Sequence, residues 1–258
     1  MGTVGEGSGS MKVVVVGASS GLGRCIALGL AARGARVALM ARRKERLEVA
    51  ASEAGPDALA ITCDITVESS CRDSIEEAAR SLGGIDGLVY ATGIGPLARL
   101  ADVDAETWRQ TFDTNVVGAA LITSAALPHL TASNGTAAYL SSISASSTPP
   151  WPGLGAYAVS KAALDKLVEA WRAEHPQIGF TRVVVGDCAG GEGHSMTEFA
   201  NAWDPGLAAD VGQVWVARQY IAGALLDADE LVGVIDNVLR CGPSASIPSV
   251  AVEPRRPA

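Results

Sequence analysis

Lys12-Val13-Val14-Val15-Val16-Gly17-Ala18-Ser19-Ser20-Gly21-Leu22-Gly23 is the stretch on which the fold turns. Four consecutive valines without polar alternation read as a strand buried on both faces. The residues from there to Arg33 are rich in Ala and Leu, and Gly34 stops them as a helix C-terminal glycine. A Gly-rich turn therefore joins a buried strand to a helix. Glycines 17, 21 and 23 let the chain turn tightly and let a pyrophosphate approach backbone N–H groups at the helix start. Gly17, Ser19, Ser20, Gly21, Leu22 and Gly23 form the expected phosphate-binding segment. The spacing is G-x-x-x-G-x-G rather than G-x-G-x-x-G.

Outward from this turn, strand and helix alternate. Residues 36–40, 58–63, 86–91, 136–142, 180–185 and 247–252 read as further strands. Residues 67–82, 104–130, 156–175, 214–226 and 229–240 carry helical patterns, with an irregular segment from 190 to about 210. No repeat, linker or break in composition divides residues 11–258. The expectation is one α/β domain, a doubly wound parallel sheet of about seven strands with helices on both faces. Residues 1–10 are Gly/Ser-rich without an apolar centre and read as a disordered lead-in rather than a signal peptide.

Composition excludes several classes. A net charge of −8 argues against nucleic acid, whose phosphates require basic surface. No apolar run is read as long enough to span a membrane, which takes about 18–20 residues. Five scattered cysteines and three scattered histidines suggest neither a disulfide framework nor a metal site, so a reducing cytoplasm is the expected compartment.

Several positions point to a dinucleotide. The second strand ends at Ala41-Arg42-Arg43, about 20 residues beyond the glycines, where an acid would grip the ribose 2′-hydroxyl of NAD. No acid stands there. Arg42, with Arg43 beside it, offers a planar guanidinium suited to a 2′-phosphate, so NADP(H) is expected over NAD(H). The alternative is that Arg42, Arg43 and Lys44 merely open a solvated helix. Asp64 could accept from an adenine amino group with Ile65 beside the ring, or cap the helix that begins near Thr66. Ala91, Thr92 and Gly93 follow the fourth strand, where glycine lets the backbone pass close to a ligand.

Chemistry is suggested by Tyr157 and Lys161, one helical turn apart on the same face. An ammonium near a phenol favours the phenolate, and such a Tyr can exchange a proton with a carbonyl or alcohol oxygen. Asn115 inside the long helical pattern is a poor helix former and invites a reason.

Together, Gly17-x-x-x-Gly21-x-Gly23, Asn115-Val116-Val117-Gly118, Ser141-Ser142 after a strand and Tyr157-x-x-x-Lys161 resemble the short-chain dehydrogenase/reductase family, from Lys12 to about Val252. The resemblance implies a Rossmann-type fold and a catalytic tetrad of Asn115, Ser142, Tyr157 and Lys161. By resemblance Tyr157 is the acid/base, Lys161 holds the nicotinamide ribose and lowers the Tyr pKa, Ser142 bonds the substrate oxygen, and Asn115 supports a proton relay. Arg42 resembles the NADP-preferring members. The family also implies a homodimer or homotetramer through the helices at 104–130 and 156–175.

The chain departs from the family pattern. Tyr90-Ala91-Thr92-Gly93 replaces Asn-Asn-Ala-Gly. Ser142 precedes Tyr157 by fifteen residues where thirteen is usual, and Ser144 meets the usual spacing. Aligning Asn134-Gly135 and the strand without gaps selects Ser142. Val185-Gly186-Asp187-Cys188 replaces a Pro-Gly pair, and the glycine-rich ending is missing. The expected activity is hydride transfer between NADP(H) and a small-molecule carbonyl or secondary alcohol. Met196, Phe199, Trp203, Trp151 and Leu154 are expected to wall the substrate site, with 190–210 as its lid, or else to pack as ordinary loop core. His194 and Cys188 are expected to be incidental. Two other readings remain: a catalytically silent NADP(H)-binding sensor on the same fold, and a lyase or epimerase that keeps its cofactor.

Overall fold

The computed structural model describes residues 10–190, 198–221 and 223–255. The expectations for residues 1–9, His194 and Met196, and part of the segment expected as a lid, lie outside the described residues. Seven parallel strands form one sheet in the order β3-β2-β1-β4-β5-β6-β7. They are β1 (Lys12–Val16), β2 (Arg36–Ala41), β3 (Leu59–Thr62), β4 (Gly87–Tyr90), β5 (Thr136–Ser142), β6 (Gly179–Val185) and β7 (Ser249–Val252). The Val13–Val16 run is buried because both neighbours are in place, with Val15 facing Leu39 on β2 and Val89 on β4. Each fully buried valine contributes roughly 1.5–3 kcal/mol relative to exposure.

Helices cover both faces. Leu82, Ile122, Leu130, Leu164 and Val168 pack on one face, from α3 (Glu68–Leu82), α5 (Gly118–Ser133) and α7 (Gly155–Glu174). Ile26, Leu30, Leu47, Leu231 and Ile235 pack on the other, from α1 (Gly21–Ala32), α2 (Lys44–Ala54) and α9 (Ala228–Leu239). The strand order reverses between β1 and β4, so the crevice for a ligand lies at the carboxyl ends of these strands.

The structure corrects three expectations. The helix expected at 104–130 is α4 (Ala105–Phe112), a π-helical turn (Asp113–Val117) and then α5. A π turn adds a residue to the helix, and such turns are common at functional sites. The composite run Ala105–Ser133 is 29 residues long, with a hydropathy of 1.4, long and apolar enough to cross a membrane by length and composition. In the fold it lies on the sheet, with Asn115, Ile122, Ala126 and Leu130 buried. The helix expected at 214–226 is α8 (Pro205–Ala217), beginning nine residues earlier. Asp204 caps it by accepting from Leu207 N–H, and Pro205 takes the first turn, where no N–H is needed. It cannot run to 226 because Gln219 adopts a left-handed φ of +56°.

Candidate active site

The loops after β1, β4 and β5 converge at this crevice. Gly17 has a φ of +91°, and a Cβ there would stand 2.6 Å from Thr92 Oγ1 and 2.9 Å from Thr92 N. A Cβ on Gly23 would stand 2.3 Å from the Gly17 carbonyl oxygen. Only hydrogen fits at either place, because the opposing atoms include backbone. The turn thus lies directly against Ala91 and Thr92. Ser20 precedes α1 in extended conformation, its side chain makes no cap bond, and the first turn carries no acid. The first N–H groups of α1 therefore keep their partial positive charge for an anion. These features fit the pyrophosphate of a nicotinamide dinucleotide, with Gly17 to Gly23 as its cradle.

Of the two arginines after β2, Arg43 reaches the Gly-rich turn. Its Nη2 donates to Ser19 Oγ at 3.1 Å and to Ser20 Oγ at 2.5 Å, and its Nε donates to Ser19 Oγ at 3.3 Å. Arg42 is exposed, and its guanidinium is near enough to Asp64 to help lower that carboxyl. The first cause of that lowering is Thr66. Asp64 Oδ1 accepts from Thr66 N–H at 3.0 Å and from its hydroxyl at 2.7 Å. Asp64 thus closes a turn ahead of α3, whose own N-cap is Val67. Ile65 is buried against Gly118, where a Cβ would lie 2.9 Å from Ile65 Cδ1.

The tetrad residues come together. Ser142, at the end of β5, lies beside the Tyr157 phenol and acts to lower its pKa. Its Oγ lies 3.0 Å from Ser144 Oγ and accepts from Ser144 N–H at 3.2 Å, which caps the short helix α6 (Ile143–Ser146). Ser144 is thus buried behind Ser142. Lys161 Nζ lies 5.8 Å from the Tyr157 ring centroid and donates to the Leu140 carbonyl at 2.7 Å. Gly93 faces it, since a Cβ there would stand 3.1 Å from Lys161 Nζ and 3.5 Å from Asn115 Oδ1.

Electrostatics depart from the sequence expectation at Tyr157. Burial pushes its phenol up to about 12, and Ser142 offsets only part of this. Burial also pushes the Lys161 ammonium down to about 8, opposed by the negative charge of Asp165. Desolvation penalises both charged forms and is the largest cause of each shift. Asp165, one turn beyond Lys161, is a buried carboxylate that sequence reasoning missed, although the i, i+4 spacing was visible. Its carboxyl is raised by burial, and Arg182 Nη1 stands 3.7 Å away.

Above the phenol lies an aromatic cluster. The Phe199 ring meets Tyr157 edge-on at 5.0 Å and Trp203 at 5.5 Å. Trp151 packs on Trp215 at 5.3 Å and on Tyr220 at 5.7 Å. Trp203 Nε1 donates to the Gly95 carbonyl at 2.8 Å, and Trp215 Nε1 donates to the Pro152 carbonyl at 2.9 Å. Trp151 and Leu154 are buried, so these two pack as core. Trp215 and Tyr220 were not anticipated as members of this cluster, although both lie within the helix expected at 214–226. The loop after β6 is held by parallel pairing of Cys188 with Leu226, and burial pushes the Cys188 thiol up to about 12, which leaves it unreactive.

Residues 11–203 match the family model for short chain dehydrogenase. The chain belongs to the short-chain dehydrogenase family. It is 37% identical over 180 residues to 11-beta-hydroxysteroid dehydrogenase A of Sesamum indicum, covering 67% of this chain and 51% of that protein. It is 36% identical over 167 residues to 11-beta-hydroxysteroid dehydrogenase 1A of Arabidopsis thaliana, covering 63% and 47%. The chain thus spans about half the length of the curated relatives it matches. Among solved structures, a short-chain type dehydrogenase/reductase from Mycobacterium marinum superposes with a TM-score of 0.80 at 28% identity, covering 94% of each chain. Members of this family are oxidoreductases that use nicotinamide cofactors, and the cradle described above fits such a cofactor. The family match ends at 203, so α8, α9 and β7 lie beyond it.

Proposed function

We propose that this short-chain dehydrogenase is an NADP(H)-dependent oxidoreductase that interconverts a ketone and a secondary alcohol on a bulky apolar molecule. The observation that carries the reading is the Ser142–Tyr157–Lys161 cluster beside the Gly-rich turn. The cofactor, when bound, supplies or accepts the hydride at the substrate carbon. Tyr157 gives its proton to the substrate oxygen in reduction and takes it back in oxidation. Burial keeps the phenol protonated at neutral pH, so the proton that reduction delivers is in place. Ser142 donates a hydrogen bond to the same oxygen. Lys161 faces Gly93 and holds the ribose next to the nicotinamide, and Asn115 fixes the loop on which Gly93 stands.

Arg43 with Ser19 and Ser20 supports a 2′-phosphate site, with Arg42 outside it. Phe199 and Trp203 are only partly buried beside Tyr157 and offer apolar ring surface, with the Trp203 indole N–H engaged by the Gly95 carbonyl and Trp215 buried behind them. Such a wall favours a large apolar substrate. The relatives' names, hydroxysteroid dehydrogenases, agree in substrate class. Exposed Val117 and Val159 lie on the two helix runs through which a homodimer or homotetramer would form.

The test is a panel of steroid-like and smaller ketones with NADPH and NADH side by side. Turnover with NADPH that falls roughly 10²–10⁴-fold in Tyr157→Phe, with NADPH binding kept, supports the proposal. Tight NADPH binding without turnover across the panel would replace it with the sensor reading.

A further inference from the structure

Glu198 opens a 3-10 turn, Glu198–Ala200, and reaches Arg43 and Arg46 at the start of α2. Its carboxylate is shared between two guanidinium groups. Oε2 accepts from Arg43 Nη1 at 2.9 Å, and Oε1 accepts from Arg46 Nη1. These two cations hold the carboxyl down at about 2, so it is ionised at every working pH. Three further Arg43 N–H donors are on Ser19 and Ser20. One guanidinium therefore sits between the phosphate turn and an internal anion. The set of donors around Glu198 is the set a phosphate monoester takes: planar forks with nearby hydroxyls. All three charged side chains are partly exposed, at 47% for Arg43, 54% for Arg46 and 41% for Glu198. Such a pair is exchangeable rather than locked.

We propose that Glu198 is an internal competitor for the 2′-phosphate site and so sets how strongly the enzyme discriminates NADP(H) from NAD(H). The inference rests on the NADP(H) reading above. A 2′-phosphate must displace the carboxylate from Arg43, and its affinity is reduced by that exchange. A cofactor with a free 2′-hydroxyl brings no anion to this point and leaves the pair in place. Glu198 thus weakens NADP(H) selectively.

Titration of the full chain with 2′-AMP, 5′-AMP, NADPH and NADH tests this in wild type, Glu198→Gln, Glu198→Asp and Arg43→Ala. Glu198→Gln should tighten 2′-AMP and NADPH roughly 2- to 5-fold, the range of an exposed ion pair, and leave 5′-AMP and NADH unchanged. Glu198→Asp should return the affinities toward wild type. Unchanged 2′-AMP binding in Glu198→Gln, or equal tightening of all four ligands, overturns the proposal. Arg43→Ala separates it from the reading beneath it. If that variant weakens NADPH while Glu198→Gln changes nothing, only the competitor falls. If it leaves NADPH untouched, the 2′-phosphate site itself is wrong and the competitor falls with it.

Discussion

Asn115 grips Ile94 by both ends of one amide. Its Oδ1 accepts from Ile94 N–H at 2.8 Å, and its Nδ2 donates to the Ile94 carbonyl at 2.9 Å. The second Nδ2 proton goes to Ser160 Oγ at 2.8 Å, which in turn donates to the Tyr157 carbonyl at 2.7 Å. The side chain thus behaves as a missing strand neighbour for the loop after β4 and ties that loop to the helix of Tyr157 and Lys161.

Replacing Asn115 with Ala leaves the Ile94 amide without these partners around a fully buried position. Unsatisfied buried groups cost about 1–3 kcal/mol each. Urea unfolding of Asn115→Ala should show a loss of roughly 2–4 kcal/mol. A loss below about 0.5 kcal/mol, the range of ordinary surface substitutions, would refute the clamp.

Lys161 gives a pH signature. Its folded pKa of about 8 lies below the ordinary 10.5, so between these values the unfolded chain binds the proton that the folded chain has released. Its contribution therefore costs stability below pH 8 and is relieved as pH rises toward 10.5. Wild type should gain roughly 1–3 kcal/mol relative to Lys161→Met between pH 8 and 10, measured by chemical denaturation. Tyr157 works the opposite way only above pH 10, where the unfolded phenol ionises and the folded one does not until about 12. Asp165 raises the Lys161 value, so Asp165→Asn should move the window to lower pH. A window that stays put would remove Asp165 from this role.

Arg43 and Arg42 should separate in nucleotide binding. Arg43→Ala removes the guanidinium on Ser19 and Ser20, and a charge-assisted bond is worth about 1.5–3 kcal/mol, so NADPH should bind roughly 10- to 100-fold more weakly. Arg42→Ala should change NADPH affinity by less than about threefold, as expected of an exposed charge. Fluorescence titration of both variants decides between them, and the reverse ranking would return the site to Arg42.

Asp204→Ala removes the cap of α8, whose acceptor bond to Leu207 N–H is 2.7 Å long. The expected cost is about 1 kcal/mol. Because Trp215 on α8 packs on Trp151 and Trp203, the loosening should also appear as faster hydrogen exchange along α8. Equal exchange in both proteins would show that the tertiary contacts hold this helix without its cap.

The sheet was readable from the chain because its strands advertise themselves. Val13 to Val16 can be buried on both faces only in a covered parallel sheet, and Gly17 to Gly23 mark the turn that follows. The grouping of the candidate site was legible for the same local reason: Tyr157 and Lys161 share a helix face, and Ser142 ends a strand. Helix boundaries were less legible. The π turn at Asp113–Val117 has no compositional signal, and Asp204-Pro205 was passed over as part of an irregular segment.

Local pattern, carried by periodicity and by glycines that no other residue can replace, determined the architecture, the family and the order of the reactive groups. The fold alone decided which of two adjacent arginines reaches the Gly-rich turn. It also decided that Glu198, distant in sequence, faces that arginine, and that burial lifts the Tyr157 phenol instead of lowering it. Such outcomes depend on distance and desolvation between segments far apart in the chain, and neither is encoded in any local stretch of residues.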